Sequence, residues 1–228
     1  MRQYGYEDSI EKFNQKSVKV AREAIENTNK ETTLAGSVST FGNFYKLGIK
    51  AMIPGFHEQL KILSDAGVDL IILEAMSSQA DIVETMLNCS TKISIPVWLS
   101  VSCVTNDQNQ IMLGYSDTID SDIHVYENFE KSINNFKKIH NGPILVAHSD
   151  IKTTGKAIKT ARENFDGVIG AYPNKGYYEK PHWRFIDDMT PDDYLYEVKT
   201  LIKDGAQIIG GCCGIGVNEI KAISILKN

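Results

Sequence analysis

Two adjacent cysteines close the phrase Gly210-Gly211-Cys212-Cys213-Gly214. Neighbouring thiolates can bind one soft or borderline cation such as Zn²⁺. Glycines on both sides let the backbone turn sharply and come close to a ligand. A bridge between adjacent residues would be strained, so metal binding is the favoured use of the pair. The competing reading is two small buried residues in a tight turn. A catalytic zinc takes three protein ligands and keeps a fourth position open, so a third donor is needed. His148, in Val146-Ala147-His148-Ser149-Asp150, is the best candidate, because it ends an apolar strand. Cys103, just after the strand Pro96–Val101, is a weaker one. Cys89 lies in or just after a helix and reads as structural.

Other strand-end residues could bind a substrate. Glu74 closes the run Leu70-Ile71-Ile72-Leu73. A carboxylate there is costly to bury unless paired, and a substrate ammonium group or a salt bridge would serve equally. Asn174, in Tyr172-Pro173-Asn174-Lys175-Gly176, could present an amide to a ligand, although turn chemistry explains the segment as well. Ser37 and Ser100 are weaker cases of the same kind. Trp183, with Tyr177, Tyr178 and His182, is either a lid or ordinary packing.

These residues must be positioned by alternating elements. Apolar runs rich in Val, Ile and Leu mark strands at Thr33–Val38, Asp69–Glu74, Pro96–Val101, Pro143–His148, Gly167–Tyr172 and Ala206–Gly210. They show little polar alternation, as strands buried on both faces do. Helical patterns cover Asp8–Asn27, Gly55–Ala66, Ser78–Leu87, Tyr126–Ile139, Lys152–Asn164, Pro191–Lys203 and Val217–Leu226. Thr190 reads as the N-cap of the sixth, with Pro191 at its first position and acids in its first turn. The phrases DAGVDLIILE and KDGAQIIGG repeat a helix, a glycine break and a strand. Such repetition predicts βα units and a parallel sheet. No Gly-x-Gly-x-x-Gly follows the first strand, which disfavours a dinucleotide-binding sheet. Six strands are predicted, in one domain over residues 1–228 with no dividing linker, and Asp117–Val125 as a loop over one barrel end. Catalytic groups of a barrel lie at the C-terminal ends of its strands, which is where the cysteine pair and His148 fall.

Bulk properties exclude several classes. The chain has 228 residues and a net charge of −5, with its basic residues scattered, so no nucleic-acid partner is expected. No apolar run approaches the roughly 20 residues that span a bilayer. The first residues have no signal-peptide core, and a cytoplasmic location is expected. Four cysteines in a reducing compartment do not predict a disulfide framework.

Taken together the phrases resemble the homocysteine S-methyltransferase family. GGCCG at Gly210–Gly214 and AYPNKG at Ala171–Gly176 are the specific pieces. MTPDDYLYEVKTLIKDGAQIIGGCCG, HEQLKILSDAGVDLIILEAMSSQADIVETM and LAGSVSTFG add weaker matches in the right order. The resemblance implies a (β/α)₈ barrel that holds zinc and transfers a methyl group to homocysteine, giving methionine. It implies that Cys212 and Cys213 are zinc ligands and that Glu74 meets the substrate amino group. The family's third zinc cysteine has no counterpart here; His148 aligns best with it, and a shift of one residue would place Ser149 there. The resemblance also sets the start of this chain near the end of the family's second βα unit, leaving about six units and an open edge that a second copy or a partner subunit would cover. The alternatives are an inactive barrel acting as a binding or regulatory protein, and a corrinoid-linked methyltransferase with another acceptor.

Overall fold

A computed structural model describes residues 9–28, 30–40, 48–77, 79–114, 127–179, 182–185 and 189–227. The elements in chain order are α1 (Ile10–Glu26), β1 (Ala35–Ser39), α2 (Ile49–Asp65), β2 (Leu70–Met76), α3 (Ala80–Ser90), β3 (Val97–Val101) and β4 (Cys103–Thr105). Then follow β5 (Ile111–Leu113), β6 (Glu127–Asn128), α4 (Phe129–Phe136), β7 (Ile144–Asp150), α5 (Ile151–Asn164) and β8 (Ile169–Asn174). The last are β9 (Gly176–Glu179), β10 (His182–Phe185), α6 (Pro191–Lys203), β11 (Ile208–Ile209), α7 (Val217–Ile223) and a 3₁₀ turn at Ser224–Leu226.

All six predicted strands are present, and they form a parallel sheet in the order β1-β2-β3-β7-β8-β11. This is the α/β architecture of the (β/α) barrel type, with its sheet open among the described residues. No described helix is long and apolar enough to cross a membrane. The chain comprises two compact units, Met1–Glu74 with Thr85–Trp98, and Ala75–Glu84 with Leu99–Asn228.

In the first unit β1 pairs with β2 from Ala35↔Leu70 to Ser39↔Glu74. Leu60 and Leu63 of α2 are buried together with Val38, Leu70, Ile71 and Leu73. A Cβ at Gly36 would lie 3.1 to 3.3 Å from Ile71, Val68 and Leu63, so glycine lets these side chains cross the strand closely. Asp69 joins the two chain segments. It accepts a hydrogen bond from the Leu34 amide at 2.6 Å and from Arg22 at 2.5 Å. Helix α2 starts six residues before the predicted Gly55 and carries Pro54 inside it. At the sixth helical position the proline lies past the first turn, so it cannot donate the helical hydrogen bond to Lys50 O.

The second unit holds β7, β8 and β11 and the end of β3. Its core includes Phe129, Ile133 and Phe136 of α4, Ala157, Ile158 and Ala161 of α5, and Tyr194 and Val198 of α6, all fully buried. Gly170 on β8 is required by packing, because a Cβ there would sit 2.4 Å from the Leu145 side chain and 2.9 Å from Ile208. Helix α6 has the predicted bounds, and Thr190 and Asp193 form a reciprocal capping box around its first turn. Two antiparallel additions were not foreseen: the sheet β4-β5-β6 and the hairpin β9-β10. Their strands have two to four residues, too short for a period-two pattern to declare itself. The predicted loop Asp117–Val125 lies outside the described residues.

Candidate metal centre

The cysteine turn is built on the end of β11. Gly210 donates its amide to Ala171 O at 2.9 Å, and Cys212 donates to Pro173 O at 3.0 Å. The turn is therefore hung on β8 by main-chain bonds that continue past the two residues assigned to β11. The Ile215 amide closes the turn on Cys212 O at 3.1 Å. A Cβ at Gly211 would lie 2.1 Å from Ile215, so the fold needs glycine there. Beneath the turn the buried Tyr194 hydroxyl donates to Gly210 O at 2.5 Å. Burial, with the charges of Glu219 and Cys212, pushes the Tyr194 pKa upward, which keeps this donor protonated.

His148 reaches the turn through a local break in β7. Leu145 pairs with Gly170 and Ala147 with Tyr172, but the next pair is Asp150 with Asn174. Between these pairs two residues of β7, His148 and Ser149, oppose one of β8, Pro173, the count that defines a β-bulge. Strict alternation would send His148 to the face opposite Ala147. Instead His148 has φ of 49°, in the left-handed region that few non-glycine residues occupy. The bulge brings the imidazole to the cysteine sulfurs. The Nδ1 atom lies 3.8 Å from Cys212 Sγ and 3.7 Å from Cys213 Sγ, and the two sulfurs are 3.8 Å apart.

This triangle can be compared with a zinc site. Zn–S bonds of about 2.3 Å and Zn–N bonds of about 2.0–2.1 Å at tetrahedral angles place S and S about 3.8 Å apart and S and N about 3.6 Å apart. The donor set and the distances between its atoms therefore fit one Zn²⁺. Thiolate and imidazole are also the ligand types that zinc favours. Among the described residues, these three are the His, Cys, Asp and Glu side chains that come together as a possible metal site.

The other predicted residues fall as follows. Ser149 is buried, and its hydroxyl accepts from the Cys103 amide at 2.8 Å while donating to Ala147 O at 2.8 Å. It ties the start of β4 to the bulge. Cys103 is not part of the triangle, and burial pushes its thiol pKa up, so it stays protonated. Cys89 is buried in α3, as expected of a structural residue. Asn174 is buried on β8, and its Oδ1 accepts from the Cys213 amide at 3.3 Å. Ser100 is fully buried; its hydroxyl bonds with that of Tyr172 and accepts from the Ala75 amide at 3.5 Å. Glu74 does not end its strand: β2 runs on to Met76, and Ala75 has φ of 53°. Ser37 is exposed in the middle of β1. His182 is exposed on β10, and the side chains of Tyr177, Tyr178 and Trp183 lie outside the described residues.

Two contributors were not singled out from sequence as parts of the site. Lys175 donates its amide to Cys213 O at 2.7 Å, and its ammonium group meets Glu219 at 3.2 Å. Glu219 stands at the third position of α7. Its own amide, that of Gly216 and Lys175 together hold its carboxyl below the usual carboxylate range against the opposing effect of burial.

Comparison with known proteins identifies the family. The family model described as homocysteine S-methyltransferase matches residues 1–226. Homocysteine S-methyltransferase 3 of Zea mays is 27% identical over 197 residues, which cover 83% of this chain and 54% of that protein. Selenocysteine methyltransferase of Astragalus bisulcatus is also 27% identical, over 83% of this chain and 57% of that protein. The chain spans about half the length of these curated relatives. The apo crystal structure of the homocysteine methyltransferase MmuM from Escherichia coli shares the fold, with a TM-score of 0.67, 20% identity, and coverage of 94% of this chain and 73% of that one. With the cysteine motif, the βα order and the family match in agreement, the chain belongs to the homocysteine S-methyltransferase family.

Proposed function

We propose that this chain acts in zinc-dependent methyl transfer to the thiol of homocysteine, giving methionine, with His148, Cys212 and Cys213 as the zinc ligands. The observation that carries the reading is the triangle of two sulfurs and one imidazole nitrogen with edges of 3.7 to 3.8 Å. Family membership supports it, and so do the names of the relatives, whose acceptors are amino acids bearing a thiol or a selenol.

When bound, zinc would lower the pKa of a thiol ligand, so that the nucleophilic thiolate is present at neutral pH. The chain's residues have separable tasks. Cys212 and Cys213 supply two thiolates, and His148 supplies a neutral nitrogen. Three protein donors leave one tetrahedral position for a substrate sulfur. Asn174 holds the Cys213 amide and so fixes the direction of its side chain. Ser100 anchors the backbone just past Glu74 by accepting the Ala75 amide. Glu74 is assigned to the ammonium group of homocysteine, as a carboxylate two residues before the end of β2 and suited to pairing with a cation. Small-molecule acceptor and donor are thus the expected partners.

The test is methionine formation from homocysteine with S-methylmethionine, S-adenosylmethionine, betaine and methylfolate offered in turn. At least one donor is expected to give methionine, with activity lost on chelation and restored by Zn²⁺. A zinc-loaded protein that forms no methionine from any of them would overturn the catalytic reading and favour a binding role.

A further inference from the structure

We propose that Lys175 and Glu219 are positioning residues that clamp the cysteine turn and so preset the ligand triangle. This inference rests on the metal site proposed above. Lys175 engages the turn at three points. Its amide donates to Cys213 O at 2.7 Å. Its carbonyl packs against Gly214, where an added Cβ would lie 2.2 Å from the oxygen. Its ammonium group reaches Glu219 Oε1 at 3.2 Å. The ion pair is shielded, with side chains only 12% and 11% exposed, so solvent screens it far less than a surface pair.

Glu219 fastens the far side. Its Oε2 accepts from the Gly216 amide at 3.0 Å. Gly216 is the N-cap of α7 and has no side chain to satisfy the first turn, so the carboxylate at the third helical position does that work. The segment from Cys213 to Gly216 is therefore held at both ends by one salt-bridged pair. The pair acts through the main chain of the turn. Loss of such outer partners commonly weakens metal binding about 10–100-fold.

The experiment compares wild type, Glu219→Gln, Lys175→Met and the double variant in two measurements. The first is the zinc dissociation constant, measured by competition with a chromophoric chelator. Each single variant is expected to bind zinc about 10–100-fold more weakly. The double variant is expected to lose no more than the worse single one, because both substitutions break one clamp. The second is native-state hydrogen exchange of the Lys175 and Gly216 amides in the metal-free protein, at a temperature where every variant is folded. Exchange at these amides is expected to speed up at least about tenfold in Glu219→Gln, while core amides such as those of Val146 and Ala171 keep their wild-type rates. A wild type that binds no zinc would defeat the proposed function, and the exchange rates would still judge the clamp. Unchanged zinc affinity in the single variants, or unchanged exchange at Lys175 and Gly216, would overturn the clamp.

Discussion

Replacement of His148 by alanine is expected to reduce bound zinc from one ion per chain to a small fraction. Two thiolates from adjacent residues remain, one donor short of the three that catalytic zinc sites use. The loss should exceed the roughly 100-fold that removal of an outer partner can cost. His148→Gly makes a sharper test. It removes the same ligand but tolerates φ of 49°. A side chain in the left-handed region costs about 1–2 kcal/mol. Glycine returns about 0.5–1 kcal/mol of that through the greater freedom of the unfolded chain. The metal-free glycine variant should therefore be at least as stable as the metal-free wild type, while binding zinc no better than the alanine variant. Opposite signs on stability and metal affinity would mark strain kept for function. Tight stoichiometric zinc in either variant would remove His148 from the site.

The largest effect on stability is expected from Gly214→Ala. Two costs combine there. Gly214 has φ of 82°, and an added Cβ would approach Lys175 O to 2.2 Å and the Phe185 ring to 2.8 Å. The backbone cannot simply shift, because the Lys175 amide is bonded to Cys213 O. The left-handed conformation costs about 1–2 kcal/mol and the overpacking about 1–3 kcal/mol more. For a domain of this size each kcal/mol lowers the thermal midpoint by about 2–4 °C, so a drop of about 4–20 °C is expected. Gly67→Ala is the control. It has φ of 90° with nothing within 4 Å of the added carbon, so only the first cost applies. Calorimetry that finds the two variants equally destabilised would show that the contact with Lys175 does not constrain the cysteine turn.

Much of this arrangement was legible in the sequence because its signals are local. Six apolar strands, the capping box at Thr190 and the glycine-flanked cysteine pair each announce themselves within a few residues. The parallel order follows from the repeated helix, glycine and strand. What was not legible depends on partners distant in sequence. His148 could be named as a third donor, but period-two alternation alone directs it away from the face of Ala147. Only the extra residue opposite β8 and a left-handed backbone at His148 turn it toward the cysteines, and neither leaves a mark in composition. Ser149 competed with His148 for the same role on alignment; its hydroxyl is committed to the main chain of Cys103 and Ala147. Asn174 and Ser100 were read as candidates to face a substrate; their bonds to the Cys213 amide, the Tyr172 hydroxyl and the Ala75 amide join residues distant in sequence, which no local pattern encodes. Lys175 looked like a turn residue. Its importance comes from a main-chain bond to a loop 38 residues later, which no local pattern encodes.

The central claim is a zinc site with two sulfur ligands and one nitrogen ligand, held ready for a third sulfur. X-ray absorption at the zinc edge, on protein with one zinc per chain, tests it most directly. Without substrate the first shell should contain two sulfurs at about 2.3 Å and at least one nitrogen at about 2.0–2.1 Å. Addition of homocysteine should raise the sulfur count to three. A shell without two sulfurs, or a sulfur count that homocysteine leaves unchanged, would contradict the account.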